Sequence, residues 1–555
     1  MRRAARMAAA LAAFCAAAAC LAANPIAIVC PSAATAGSAG ESAFAARLAD
    51  HLRRFLSMNS VSADVVDDAS PAAMFAERKL VFLIMCQNPS KDALASARAF
   101  KARGGKLFSF YSHSPALANL MGVSLVGYRK SATGAYSKIA FAQAAGLPPG
   151  TPQAIVQTSA NIFAAQAVPK RSRVVASWQD REGRTTAAAI LASDAGWWMT
   201  HVFSGDGDAA AKAQFLAAVA GSVVPGAWNR AAWEAKRKSE MTALRAYAMA
   251  QKPRAGEIRA VWDQSGQGLY PGNWARTFAL LKAARITDLF VNVAGAGFAH
   301  YPSKVLPPSQ VFTSQGDQLA ACLRAAAGTG VRVHAWVICF NATHGTAHRL
   351  GVFSQKGWRL KDRKTGALTE YLDPSKADLR DYLLSAASEV AANYAVHGVH
   401  LDFVRWYEGA ALPKDAVATV SAFVAAARRR VKAARPAAVF STAVFGKYPS
   451  CVAAVGQDWE SWIDAGFVDW VVPMNYTEDN AKYQSFVRQQ GRTPSHARRI
   501  VSGIGVTAFE SRLGAKQVID QIRLARQCNL AGVCFFDLDY ALANEIFPYL
   551  TLGIF

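Results

Sequence analysis

The chain has 555 residues, of which 52 % are hydrophobic and 18 % charged, and its formal net charge is +23. That length exceeds one ordinary domain, and the balance is that of a globular chain with ample core, which excludes a disordered one. The basic excess favours an acidic partner such as an anionic glycan, but runs as short as Arg428-Arg429-Arg430 come without a recognition motif, so nucleic-acid binding ranks last.

Residues 1–23 read as a signal peptide. Arg2, Arg3 and Arg6 precede an apolar run from Met7 to Ala23, with cleavage expected near Ala22 or Ala23. Export to the periplasm or the outside is therefore expected. Cys20 follows Ala17-Ala18-Ala19, a weak likeness to a lipoprotein cleavage box because Ala17 stands where Leu belongs; a lipid anchor is the alternative. No later stretch is long and apolar enough to span a bilayer. Without Cys15 and Cys20, seven dispersed cysteines remain and no Cys-x-x-Cys pair, which argues against a disulfide scaffold and a zinc site. Cys30 and Cys86 each end a predicted strand, so one disulfide is open to them, as are two buried thiols.

Residues 24–228 read as a smaller α/β domain of flavodoxin-like type. Ile26–Cys30, Val61–Val66, Leu80–Met85 and Lys106–Tyr111 are predicted strands. Phe44, Leu48, Leu52 and Leu56 mark one helix face, and the helix from Asp92 to Arg103 stops at Gly104-Gly105. Val174–Trp178 and Ala187–Leu191 read as a β-hairpin. A basic helix from Ala231 to Gln251 lies in a linker over 229–256.

From 257 to 555 eight short apolar strands alternate with helical patterns. They are Ile258–Trp262, Asp288–Val293, Val331–Val337, Gly398–Phe403, Ala438–Ala443, Val468–Met474, Ile500–Gly505 and Gly532–Phe536. Ser375-x-x-Asp378 reads as a capping box for the helix that follows. Eight strand-helix units in about 300 residues predict a (β/α)8 TIM barrel, whose chemistry sits at the carboxyl ends of its strands.

The polar residues at those ends are the candidates. Strand one ends in Trp262-Asp263; Tyr301 follows strand two; His334, Trp336, Asn341 and His344 belong to strand three. Strand four carries His400, Asp402 and Arg405, strand six leads into Asn475-Tyr476-Thr477-Glu478, and strand eight ends in Asp537-Leu538-Asp539. Carboxylates among aromatic rings suit a sugar site: two carboxyls do acid and base or nucleophile work, and flat rings stack on pyranose faces. Asp402 is the first candidate for the catalytic carboxyl. Glu478, Asp537 and Asp263 compete for the second place, and Asp263 also counts as a substrate-binding candidate with Tyr301, His334, Trp336, Asn341, His400, Arg405, Asn475 and Tyr476. Arg405 would tune Asp402 or bind substrate charge. Asp539 is a candidate N-cap. No His-Glu-x-x-His, P-loop or Gly-x-Gly-x-x-Gly motif occurs, so no metal and no cofactor is expected.

Several of these segments resemble the glycosyl-hydrolase-like family ten, barrel proteins of bacterial cell envelopes. They are Glu257–Trp262, Tyr301-Pro302-Ser303-Lys304-Val305-Leu306-Pro307, Val333-His334-Ala335-Trp336, Leu372-Asp373-Pro374, Gly398–Arg405 and Pro473-Met474-Asn475-Tyr476. The resemblance implies hydrolysis of an envelope glycan; some relatives act on peptidoglycan strands stripped of their peptides. The first domain resembles the glutamine-amidotransferase-like domains found beside some glycosidases, whose active members place a nucleophile on a Gly-flanked turn. Tyr111-Ser112-His113-Ser114-Pro115 lacks those glycines, which implies a catalytically silent domain. A more distant likeness to chitinases stops at Val404, where chitinases need a glutamate. The expected function is hydrolysis of an envelope or extracellular polysaccharide, an anionic one included. The alternatives are a non-catalytic glycan-binding barrel and, behind it, a deacetylase or lyase.

Overall fold

The computed structural model describes residues 23–131, 134–142, 147–180, 183–203, 208–342 and 346–555. The signal segment with Cys15 and Cys20, and His344 on the rim, lie outside the described residues. The chain divides into two compact units, the first ending at Ser239 and the second beginning at Glu240. The division falls inside helix Arg230–Met249.

The first unit is built on a nine-stranded sheet. Asp64–Asp67, Ile26–Cys30, Leu80–Ile84, Lys106–Phe110 and Gly196–Met199 run parallel in that spatial order, and Thr185–Ser193, Ser172–Gln179, Lys138–Phe141 and Ala154–Val156 continue antiparallel. The antiparallel half extends well beyond the hairpin expected from the sequence. Helix Ala39–Ser57 packs one sheet face with Leu48, Leu52 and Leu56, while Phe44 stays exposed. Cys30 and Cys86 are both free thiols. At the turn after Phe110, the Ser112 hydroxyl donates to the Cys86 carbonyl at 2.5 Å and His113 packs against Phe163. Ser112 and His113 therefore serve the turn and do not form a dyad.

The second unit is a closed parallel barrel. Its strands are β1 (Ile258–Asp263), β2 (Asp288–Gly295), β3 (Arg332–Ile338), β4 (Gly398–Asp402), β5 (Val439–Phe445), β6 (Trp470–Met474), β7 (Val501–Gly505) and β8 (Gly532–Phe536). Each pairs with the next, and β8 closes on β1. Apolar residues on both faces of nearly every strand explain why these segments read as continuous runs. The outward faces pack on the surrounding helices. Ala260, Trp262, Phe290, Trp336, Ala443, Val472 and Cys534 fill the barrel interior. Ser375 is no helix cap: its hydroxyl donates to Asp373, and helix Ala377–Asn393 begins after Lys376 without a side-chain cap.

Candidate active site

The barrel interior is layered, and the layers sort the candidates. At the bottom, His334 pairs with Asp288 across 2.8 Å, and Arg332 holds the other Asp288 oxygen at 2.7 Å. His334 fits only because Gly398 opposite it has no side chain; a Cβ there would stand 2.2 Å from His334 Nδ1. His334 is thus a buried structural histidine and not a substrate contact. Asp288→Ala would leave that imidazole and Arg332 without their anion. A loss of about 3–5 kcal/mol in urea unfolding, with unchanged KM, is expected.

One layer higher, the Trp262 indole donates to His400 Nε2 at 3.1 Å, His400 Nδ1 meets the Ser441 hydroxyl at 2.9 Å, and His400 stacks on Phe290. His400 is wholly buried, and burial holds its pKa well below the usual histidine range. It is a neutral prop beneath Trp262, so its assignment to substrate is also corrected.

The rim layer is centred on Asp402, the last residue of β4. Its carboxyl is buried, at 5 % exposure. Burial raises its pKa, against the opposing pull of Arg405, the Phe403 N–H and the Trp336 indole. Phe403 takes a left-handed φ of 52°, and its N–H donates to Asp402 Oδ1 at 2.6 Å. That conformation costs a non-glycine residue of order 1 kcal/mol, and such strain gathers at functional sites. The Trp336 indole lies near the carboxyl yet completes no hydrogen bond among the described residues.

Arg405 stands 3.7 Å from Asp402 Oδ1. Its guanidinium is sandwiched between Phe403 and Phe445, at 4.1 and 4.4 Å from their ring centroids. It is 9 % exposed and donates no hydrogen bond among the described residues. Tyr476 closes the other side: it stacks on Phe536 and meets Trp262 edge to face. Gly505 leaves room for its ring, since a Cβ there would lie 2.8 Å from it. Burial pushes the Tyr476 phenol far up, and Cys534, Asp402, Glu510 and Asp537 add to this. Tyr476 therefore lies within reach of the charges on both β4 and β8.

The Asp537 carboxyl accepts a hydrogen bond from Thr507 at 2.9 Å. Burial first, then Asp539 and Asp263, push its pKa up to about 6. Asp539 accepts the Leu542 N–H at 2.8 Å, as an N-cap does.

The remaining candidates lie elsewhere. Asp263 spends one oxygen on the N–H and hydroxyl of Ser265 and the other on the Gly268 N–H, and so staples its own loop. Glu478 is exposed and takes the Arg512 N–H on Oε1, so it is not paired with Asp402. Asn475 is buried and bonds outward to Gln490 and Ser502. Tyr301 is buried and donates to Glu389 on helix Ala377–Asn393. Asn341 stays near the rim, bridged to Tyr371. Sequence reasoning missed the Tyr371–Tyr407 stack at 4.4 Å, Phe403, Phe445 and the fully exposed Phe509 on the turn between Thr507–Ala508 and Ser511–Arg512. Of these, only the Tyr371 and Tyr407 aromatics beside Arg405 carry a signal that sequence could have offered.

Fold and rim together define a (β/α)8 barrel with buried carboxyls and aromatic rings at its carboxyl-terminal mouth. No family model matches the chain. Over 138 residues it is 30 % identical to the glycosyl hydrolase DigH of Escherichia coli K12, a stretch covering 22 % of this chain and 31 % of that protein. The match thus spans about a third of the relative's length. Among solved structures, it is similar to the PgaB (BpsB) glycoside hydrolase domain of Bordetella bronchiseptica, with TM-score 0.42 and 12 % identity over 54 % of this chain and 99 % of that one. It is also similar to a class V chitinase of Pseudomonas fluorescens Pf-5, with TM-score 0.36 and 10 % identity over 54 % and 99 %.

Proposed function

We propose that the barrel is a glycoside hydrolase of the glycosyl-hydrolase-like family ten type, acting on an envelope or extracellular polysaccharide after export. The observation that carries the proposal is Asp402: a buried carboxyl with a raised pKa, at the end of a barrel strand and ringed by aromatics. In this reading Asp402 protonates the leaving glycosidic oxygen. Asp537, directly after the strand diagonally across the eight-stranded ring, is the second carboxyl. It is mostly ionised at neutral pH and activates water or attacks the anomeric carbon. Tyr476, Tyr371 and Tyr407 offer sugar-stacking faces. The first unit is read as a silent amidotransferase-like domain, since its candidate serine is committed to a backbone carbonyl.

The Arg405 guanidinium, whose buried Nη1 completes no hydrogen bond among the described residues, suits a carboxylate or hydroxyl of the bound glycan. Arg405→Gln is expected to raise KM for an anionic polymer by about tenfold, with a change under about twofold for neutral poly-N-acetylglucosamine. Steady-state kinetics on the two polymers check this. The proposal as a whole is tested by reducing-end release from denuded peptidoglycan, poly-N-acetylglucosamine and acidic exopolysaccharide. Release from one of them supports it; retention of a polymer without release favours the glycan-binding alternative.

A further inference from the structure

The opposite end of the barrel holds a second concentration of charge. A cavity of about 770 Å³ opens at the amino-terminal ends of β1, β2 and β3. Arg254, Arg259, Arg285 and Arg332 line it, with Glu257 and Thr287.

The side-chain carboxylates around this cavity are already committed. Glu257 is held bidentately by Arg526, at 2.7 and 2.6 Å. Asp288 is shared by Arg332, His334 and Thr287. Arg254 is fixed by the Leu530 main-chain carbonyl at 2.8 Å, which carries no net charge, and Arg285 is held by the main-chain oxygen of Phe555, the last residue of the sequence. Among the described residues the guanidinium of Arg259 has neither kind of partner. Its guanidinium lies over the Phe555 ring at 5.3 Å, and its buried Nε completes no hydrogen bond. Burial lowers its pKa; Glu257 opposes this, and the charges of Arg285 and Arg526 add to it.

Converging like charges oppose folding, and an anion bound among them reverses that opposition. Guanidinium forks match phosphate oxygens in pairs, and they hold this geometry better than a lysine could. The cavity is larger than one inorganic phosphate requires. We propose that the amino-terminal mouth of the barrel is a binding site for a phosphate-type oxyanion, gripped by Arg254 and Arg259 with Arg285 beside them. The same chemistry is offered by a soluble diphosphate group and by the phosphate headgroup of an anionic lipid. Either would bind at the end of the barrel remote from Asp402.

Isothermal titration calorimetry of the full chain with inorganic diphosphate tests the site, alongside flotation with phosphatidylglycerol and phosphatidylcholine vesicles. Arg259→Gln is the informative variant. It removes no side-chain hydrogen bond to the described residues, so it is expected to melt at or above the wild-type temperature. Arg429→Gln, the same charge change at an exposed position, is the control. Saturable diphosphate binding, weakened about tenfold or more in Arg259→Gln but not in Arg429→Gln, is expected for a soluble ligand. Flotation with phosphatidylglycerol alone, lost in Arg259→Gln and kept in Arg429→Gln, assigns the same site to a lipid headgroup. Neither binding nor flotation, or equal losses in the two variants, overturns the proposal.

Discussion

Asp402→Asn is expected to lower kcat by about 10² to 10⁴-fold while KM changes little. Asparagine keeps the shape of the carboxyl and can still accept the Phe403 N–H, but it has no proton to give to a leaving oxygen. Because Asp402 is buried and its pKa is raised, the protonated acid is populated at higher pH than an ordinary aspartate would allow. Arg405 keeps its seat between Phe403 and Phe445 in the variant, so the loss should not be one of folding. Thermal unfolding of both proteins separates the two effects. Asp402→Glu retains the acid but moves it about a bond length, and an intermediate rate is expected. Wild-type turnover by Asp402→Asn would remove this residue from the chemistry.

Asp537→Asn is expected to do two opposite things: gain stability and lose activity. The Asp537 carboxyl has a folded-state pKa of about 6, against an ordinary value of 3.8. The folded protein therefore holds that proton more tightly than the unfolded chain does. This contribution to stability is complete below pH ~3.8 and is lost as pH rises through about 6. At pH 8 the charged, buried carboxylate costs about 3 kcal/mol. Asparagine removes that cost and still accepts the Thr507 hydroxyl. Urea unfolding should show the variant more stable than wild type by up to about 3 kcal/mol at pH 8, with the difference vanishing near pH 3. In the wild type, kcat/KM should fall as pH drops below about 6, because a protonated Asp537 can neither attack nor activate water. The variant should be slow at every pH. A group that costs stability yet is needed for turnover is the pattern expected of a catalytic residue. A stability gain without loss of turnover would leave the second carboxyl unassigned.

Much of the barrel is legible in the sequence because parallel strands buried on both faces read as short apolar runs, with caps and helical patterns between them. Asp402 is legible for the same reason, as a carboxylate at the last residue of such a run. Depth and facing are harder. His334, His400 and Asp402 all read as polar residues in apolar strands, but each step of two residues along a strand moves one layer down the barrel. His334 therefore reaches only the bottom and His400 only the middle. Alternation separates Asn475 from Tyr476: Val472 and Tyr476 share the inward face, and Asn475 turns out toward helix Asn480–Gln490. Asp263 is displaced by local chemistry, since Ser265 and Gly268 sit at the spacing of a loop closed on a carboxylate. Tyr301 and Glu478 lie past the ends of strands, where sequence gives no direction to the chain. In the first unit, the pair Val123–Lys130 and Asn161–Ala167 escaped notice because glycine, serine and alanine interrupt its alternation.

Most direct for the central claim is mass spectrometry of polysaccharide fragments produced by the full chain in H2(18)O. Hydrolysis by the barrel predicts shorter oligosaccharides that carry one heavy oxygen at each new reducing end, and none with Asp402→Asn. Unlabelled anhydro or unsaturated ends, or intact polymer after prolonged incubation with folded protein, would contradict it.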